Sequence, residues 1–101
     1  MFLSSDAWLL LSLIYARESV DRNHMRAVGD YINHAIFTDE ELEGGLERLK
    51  RAGYVVATEN RFAPSPQVLA WYNSITAGKS RTAVHKNLEQ VERFLGVRSG
   101  V

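Results

Sequence analysis

From Trp8 to Tyr15 the apolar residues Trp8, Leu9, Leu10, Leu11, Leu13, Ile14 and Tyr15 point in every direction when wound on a helix at about 100° per residue. The first predicted helix starts at Ser4 to Asp6, where side-chain oxygens can accept orphan amide hydrogens, and runs to about Glu18. A helix of this kind needs cover on all sides. The polar run VDRN breaks the pattern, and Met25, Val28 and Ile32, spaced by three and four, predict a second helix from about His24 to Asn33.

The third helix, Thr38 to Ala52, carries the fullest set of signals. Thr38 and Glu41 form a capping box, and Phe37 and Leu42 are placed as its hydrophobic staple. Leu42, Leu46 and Leu49 make the inward stripe, Lys50 and Arg51 complement the negative end of the helix dipole, and Gly53 is the C-terminal cap. Beyond Gly53 the period switches to two. YVVAT, EN and RFAPS predict a β-hairpin over residues 54–63 with Glu59 and Asn60 at its tip, Asn tolerating the left-handed conformation a tight turn needs. Ser65 followed by Pro66 opens a fourth helix, residues 66–77, with Val68, Trp71, Tyr72 and Ile75 as its apolar face. A last helix, residues 80–96, lines up Val84, Leu88, Val91 and Leu95 in a narrow seam like that of a coiled coil, with Phe94 beside it.

A chain of 101 residues with 46% apolar and 24% charged residues is read as a single folded domain, 1–101. It contains no cysteine, which excludes disulfides, thiolate metal sites and thiol nucleophiles and fits a cytoplasmic protein. The longest apolar run, AWLLLSLIYA, is about half a membrane span and follows Asp6 with no basic leader, so neither a transmembrane segment nor a signal peptide is expected. Twelve basic and twelve acidic side chains cancel, which offers no general attraction to nucleic acid. Residues 38–53 hold five acids and three bases, whereas residues 54–101 hold three acids and six bases.

Three helices, the third running through LKRAGYV into a hairpin, resemble the winged helix-turn-helix superfamily of small bacterial transcription regulators. The resemblance covers roughly residues 6–65, within a winged-helix core placed at 4–65, with Leu49 to Val55 its most recognisable stretch. It implies an α+β, mostly helical fold: a three-helix core with a hairpin wing, extended here by two C-terminal helices. It also implies that Thr38 to Ala52 is the recognition helix, that residues 54–63 are the wing, and that the helices after the wing are a dimerisation element.

Opposite the leucine stripe, the third helix presents Glu40, Glu41, Gly44, Glu47, Arg48 and Arg51. Major-groove readers favour basic and amide side chains here, and affinity for duplex DNA comes largely from Lys and Arg. The acids therefore favour a protein partner, although capping, the helix dipole and an i,i+4 pair between Glu47 and Arg51 account for most of them. Gly45, beside the stripe, is assigned to close packing of the third helix on the second; outward-pointing Gly44 is left as a bare patch open to another backbone. The rival reading is a DNA-binding regulator using Arg48, Arg51 and Arg61.

Other chemistry is weakly supported. AGKS lacks the earlier glycine and the preceding strand of a phosphate-binding loop. Lys79, Arg81, His85 and Lys86 suit a solvated helix start. His24, His34 and His85 lie on separate elements, and Asp30, one turn before His34, suits a local hydrogen bond, so no metal, cofactor or catalytic group is expected. Trp8, Tyr15, Trp71 and Tyr72 read as core in preference to a ligand pocket. The reading is a non-enzymatic regulatory or interaction module, a homodimer joined along Val84, Leu88, Val91 and Leu95, or else packed along the same seam onto its own first helix.

Overall fold

The computed structural model describes residues 1–78 and 83–97. Among these residues the chain forms five helices and a two-stranded antiparallel sheet, a mostly helical α+β arrangement. No helix among them is long and apolar enough to cross a membrane.

Helix α1 (Ser4–Ala16) is the element on which the others pack, and every residue from Asp6 to Ile14 is buried. Its cover comes from α2 (Arg22–Asn33), α3 (Asp39–Arg51), α5 (Val84–Leu95) and strand β2 (Arg61–Pro64). The uniform apolarity of α1 thus matches a helix enclosed by neighbours. It stops two residues short of Glu18, where Arg17 takes a left-handed φ of 63°.

Helix α2 starts at Arg22, earlier than His24, because Asp21 caps it: its carboxylate accepts from the His24 amide at 2.8 Å. Met25, Gly29 and Ile32 are buried, with Val28 partly so. The α2–α1 approach is close at Gly29. Its carbonyl accepts from the Trp8 indole at 2.9 Å, the Trp8 ring stacks on Phe37 at 3.7 Å, and the Phe37 ring fills the space a Cβ on Gly29 would need. The contact between Asp30 and His34 is made by backbone, the His34 amide donating to the Asp30 carbonyl at 2.7 Å.

Helix α3 is capped as its sequence predicts. The Thr38 hydroxyl accepts from the Glu41 amide at 3.0 Å and the Glu41 carboxylate accepts from the Thr38 amide at 2.9 Å. At the other end Gly53 has φ 82°, its amide donates to the Lys50 carbonyl and the Tyr54 amide donates to the Leu49 carbonyl, closing a Schellman motif. Strands β1 (Val55–Thr58) and β2 follow in the register Val55 with Pro64 through Thr58 with Arg61. The left-handed residue at the tip is Glu59, with φ 58°, and not Asn60. Val20, between α1 and α2, adds a single bridge to the far side of β2 by exchanging both backbone hydrogen bonds with Phe62.

Helix α4 (Pro66–Thr76) begins with Pro66 behind a Ser65 cap, and Val68 is its one fully buried residue. Helix α5 spends its seam inside the chain. Val91 and Leu95 are buried in the same core as α1, Val84 and Leu88 pack partly buried against it, and the buried Asn87 amide donates to the Tyr15 hydroxyl at 2.6 Å. The expected start of this helix at Ser80 lies outside the described residues, as do Lys79 and Arg81. Phe2, Tyr54, Phe94, Trp71 and Tyr72 form a half-buried row of neighbouring rings that fastens α4 and α5 to the α3–β1 junction. Trp8, Tyr15, Trp71 and Tyr72 are therefore packing residues, and burial pushes the Tyr72 hydroxyl up to about 12.

Candidate functional site: the outer face of the third helix

The six residues predicted for this face share one helix but do not form one open surface. Arg48 turns back over α3 toward α1. Its Nε and Nη2 donate to the two carboxylate oxygens of Asp6 at 2.7 and 2.8 Å. Asp6 is 0% exposed, whereas the Arg48 side chain keeps 33% of its surface in water. The same Asp6 carboxylate accepts from the Leu3 amide at 2.9 Å, so one side chain starts α1 and joins it to α3. Paired hydrogen bonds to Asp6 raise the Arg48 pKa above its ordinary value, since they favour the charged form.

This pair accounts for both glycines at the centre of α3. A Cβ on Gly45 would lie 2.8 Å from Leu9 Cδ2 and 3.0 Å from Asp6 Oδ1, so Gly45 makes room for α1 and the buried carboxylate. It does not serve packing against α2, as the sequence reading has it; the glycine that admits close approach at α2 is Gly29. A Cβ on Gly44 would lie 3.3 Å from both terminal nitrogens of Arg48. Gly44 is thus roofed by the guanidinium of its own helix, and the patch expected to be bare is half-buried.

Most of the remaining charges are also engaged. Arg51 donates to Glu47 at 2.9 Å, the expected i,i+4 pair, and Glu41 is held in the capping box. Glu43 forms a two-bond pair with Arg22 at 2.6 and 2.9 Å, and the Arg22 guanidinium also lies 4.9 Å over the Phe62 ring. Asp39 accepts from Arg26 at 2.8 Å. These two pairs clasp α2 to α3 from the outside. Arg61 of the hairpin is bonded to the Ser19 hydroxyl at 3.2 Å and the Ser19 carbonyl at 2.6 Å. The hydrogen bond from Arg22 holds the Glu43 carboxyl below the usual range and raises Arg22.

Of the six predicted residues, Glu40, Glu47 and Arg51 remain exposed, the last two as a pair with each other. Beside them is a shallow, open depression of about 240 Å³ lined by Met1, Phe2, Arg48, Arg51 and Ala52. At the α2–α3 junction Tyr31 is 71% and Ile36 68% exposed, adjoining the acidic first turn of α3. Neither belongs to a periodic stripe, so the sequence carries no signal for either. The Arg48–Asp6 contact had a readable signal: an acid inside a helix that is apolar all round needs a cationic partner.

Comparison with known protein families, with characterised proteins and with solved structures finds no match for the chain.

Two predictions follow from this geometry. Helix propensity alone favours Ala over Gly by about 1 kcal/mol at either position. Gly45→Ala is nevertheless expected to destabilise the fold by about 1–2 kcal/mol through overpacking, whereas Gly44→Ala meets only the movable end of Arg48 and is expected to be near neutral. Urea unfolding midpoints of the two variants provide the comparison. The second concerns pH. Glu43 has a depressed pKa in the folded state, so its clasp contributes fully above the unfolded carboxylate pKa of about 4.3 and is lost as pH falls through the folded value. Glu43→Gln should lower the melting temperature at pH 7, and its difference from the parent chain should shrink as pH falls below the unfolded carboxylate value of about 4.3.

Proposed function

We propose that the chain is a non-enzymatic interaction module of winged-helix type that binds a protein partner at the α2–α3 junction and along the acidic start of α3. The order of three helices followed by a hairpin supports the winged-helix reading. The observation that carries the choice of partner is the internal engagement of Arg22, Arg26, Arg48, Arg51 and Arg61, the arginines of α2, α3 and the hairpin. A phosphate backbone binds by drawing on such cations and displacing their counterions. Here Arg22, Arg26, Arg48 and Arg61 would have to leave a carboxylate or a backbone carbonyl first, Arg51 offers only its solvent side, and Asp39, Glu40 and Glu41 repel the strand.

A protein partner meets a different surface. Tyr31 and Ile36 supply exposed apolar surface, and aromatic residues such as Tyr31 are enriched at interface centres. The neighbouring carboxylates favour a partner whose rim is basic. A side chain larger than Ala at Gly44 would displace Arg48 from Asp6, so such a substitution does not test this surface alone.

A photoreactive side chain placed at position 36 is expected to give protein adducts in cells, reduced by Glu40→Lys. Selection from random-sequence DNA at about 50 mM salt, a condition that favours electrostatic binding, is expected to enrich no site. Nucleic-acid adducts from position 36, or an enriched site whose binding is weakened by Arg61→Ala, would establish the DNA-binding reading instead.

A further inference from the structure

Strand β1 has one paired side and one open side, and two observations fix which peptide groups face which. Phe62 exchanges hydrogen bonds with Val20 at 2.8 and 2.9 Å, so its amide and carbonyl turn away from β1. The Ser65 amide donates to the Tyr54 carbonyl at 2.9 Å, extending the ladder one pair beyond Val55 and Pro64. Because antiparallel pairs alternate, Tyr54, Val56 and Thr58 bond toward β2, whereas Val55 and Ala57 direct their amides and carbonyls away from it, Ala57 at an exposed position and Val55 at a buried one. Val56, Ala57 and Thr58 are exposed, Val56 by 48%.

Sheet edges in native proteins are blunted by lysine, proline, bulges or a covering segment. The outer edge of β2 has such protection: Val20 pairs with it, Arg61 is tied to Ser19, and Pro64 ends it. The VVAT sequence of β1 has none, and three of its four residues are β-branched.

We propose that this open edge pairs with the same edge of a second copy of the chain, antiparallel about a twofold axis at Ala57, joining two hairpins into a four-stranded sheet. In that register Ala57 exchanges two backbone hydrogen bonds with Ala57 of the second copy. Val56 stands opposite Thr58 of the second copy, a favourable pair of β-branched side chains. Glu59 falls opposite Val55 of the second copy, next to the end of α3, whose last turn carries the exposed Lys50. Charge complementarity therefore selects a second copy as the occupant. It also gives a role to Glu59, a carboxylate kept at a left-handed position that favours Gly or Asn. Lys50, which is exposed, takes part in none of the ion pairs among the described residues. The inference stands independently of the α3 partner surface.

Pairing of four-residue edges buries well under the roughly 1,200 Å² of a stable specific interface, so the dimer is weak. The test is sedimentation velocity of the full chain from about 10 μM to about 1 mM, a range that resolves association of this strength. A monomer-to-dimer shift is expected. Ala57→Pro removes the outward amide without touching the β2 ladder and should weaken the dimer roughly tenfold or more through the lost reciprocal hydrogen bonds. Since proline could disturb the strand, a charge exchange provides the second arm: Glu59→Lys and Lys50→Glu each weaken association, and the double variant restores it. A chain that stays monomeric at the top of the range, or a dimer that none of these variants weakens, overturns the proposal.

Discussion

The fold is organised by one buried ion pair. Asp6 lies at zero exposure within a helix that has no polar face, and a carboxylate in that setting is tolerated only with a cation and its lone pairs satisfied. Arg48 supplies the cation from α3 through two hydrogen bonds, and the Leu3 amide supplies a third donor. For Arg48 to reach inward, α3 must approach α1 closely and leave its own surface open along the path of the side chain. Gly45 permits the first and Gly44 the second. The pair thus sets how α3 sits on α1, and with it the position of the hairpin that follows.

The same economy of charge shapes the outside. Arg22 and Arg26 hold α3 to α2 through Glu43 and Asp39, and Arg61 holds the hairpin to the α1–α2 connection. A chain with zero formal net charge thus spends its arginines on this side on joining its elements, leaving carboxylates and two apolar side chains, Tyr31 and Ile36, at the α2–α3 junction. The seam of α5 is likewise spent on α1, which needed cover on that side. Among the described residues, the junction and the open edge of β1 are left without a partner.

Much of the architecture was legible because local signals suffice for it. The capping box of α3, its Schellman end, the Ser65–Pro66 start of α4 and the period-two hairpin are encoded within a few residues each. The α5 seam was legible as a pattern but ambiguous in use, since a stripe of Val84, Leu88, Val91 and Leu95 packs equally well on α1 or on a second chain. The missed features depend on residues far apart in sequence. Gly45 could not be paired with Leu9 and Asp6, nor Arg48 with Asp6, from periodicity alone. Val20 sits in a polar run with no alternation to mark it as a sheet residue, and the left-handed position falls on Glu59 because the two-residue turn has positive φ at its first central residue alone, the pattern of a type II′ turn.

The most direct test of the central role of Asp6 and Arg48 is a double-mutant cycle, with Asp6→Ala, Arg48→Ala and the double variant unfolded in urea. Removing one partner of a buried pair destabilises by about 3–5 kcal/mol, and the partial exposure of Arg48 places the single variants toward the lower end. The second substitution should then add little, giving a coupling above about 1.5 kcal/mol, within the range seen for residues in contact. Additivity of the two substitutions within about 0.5 kcal/mol would contradict the account.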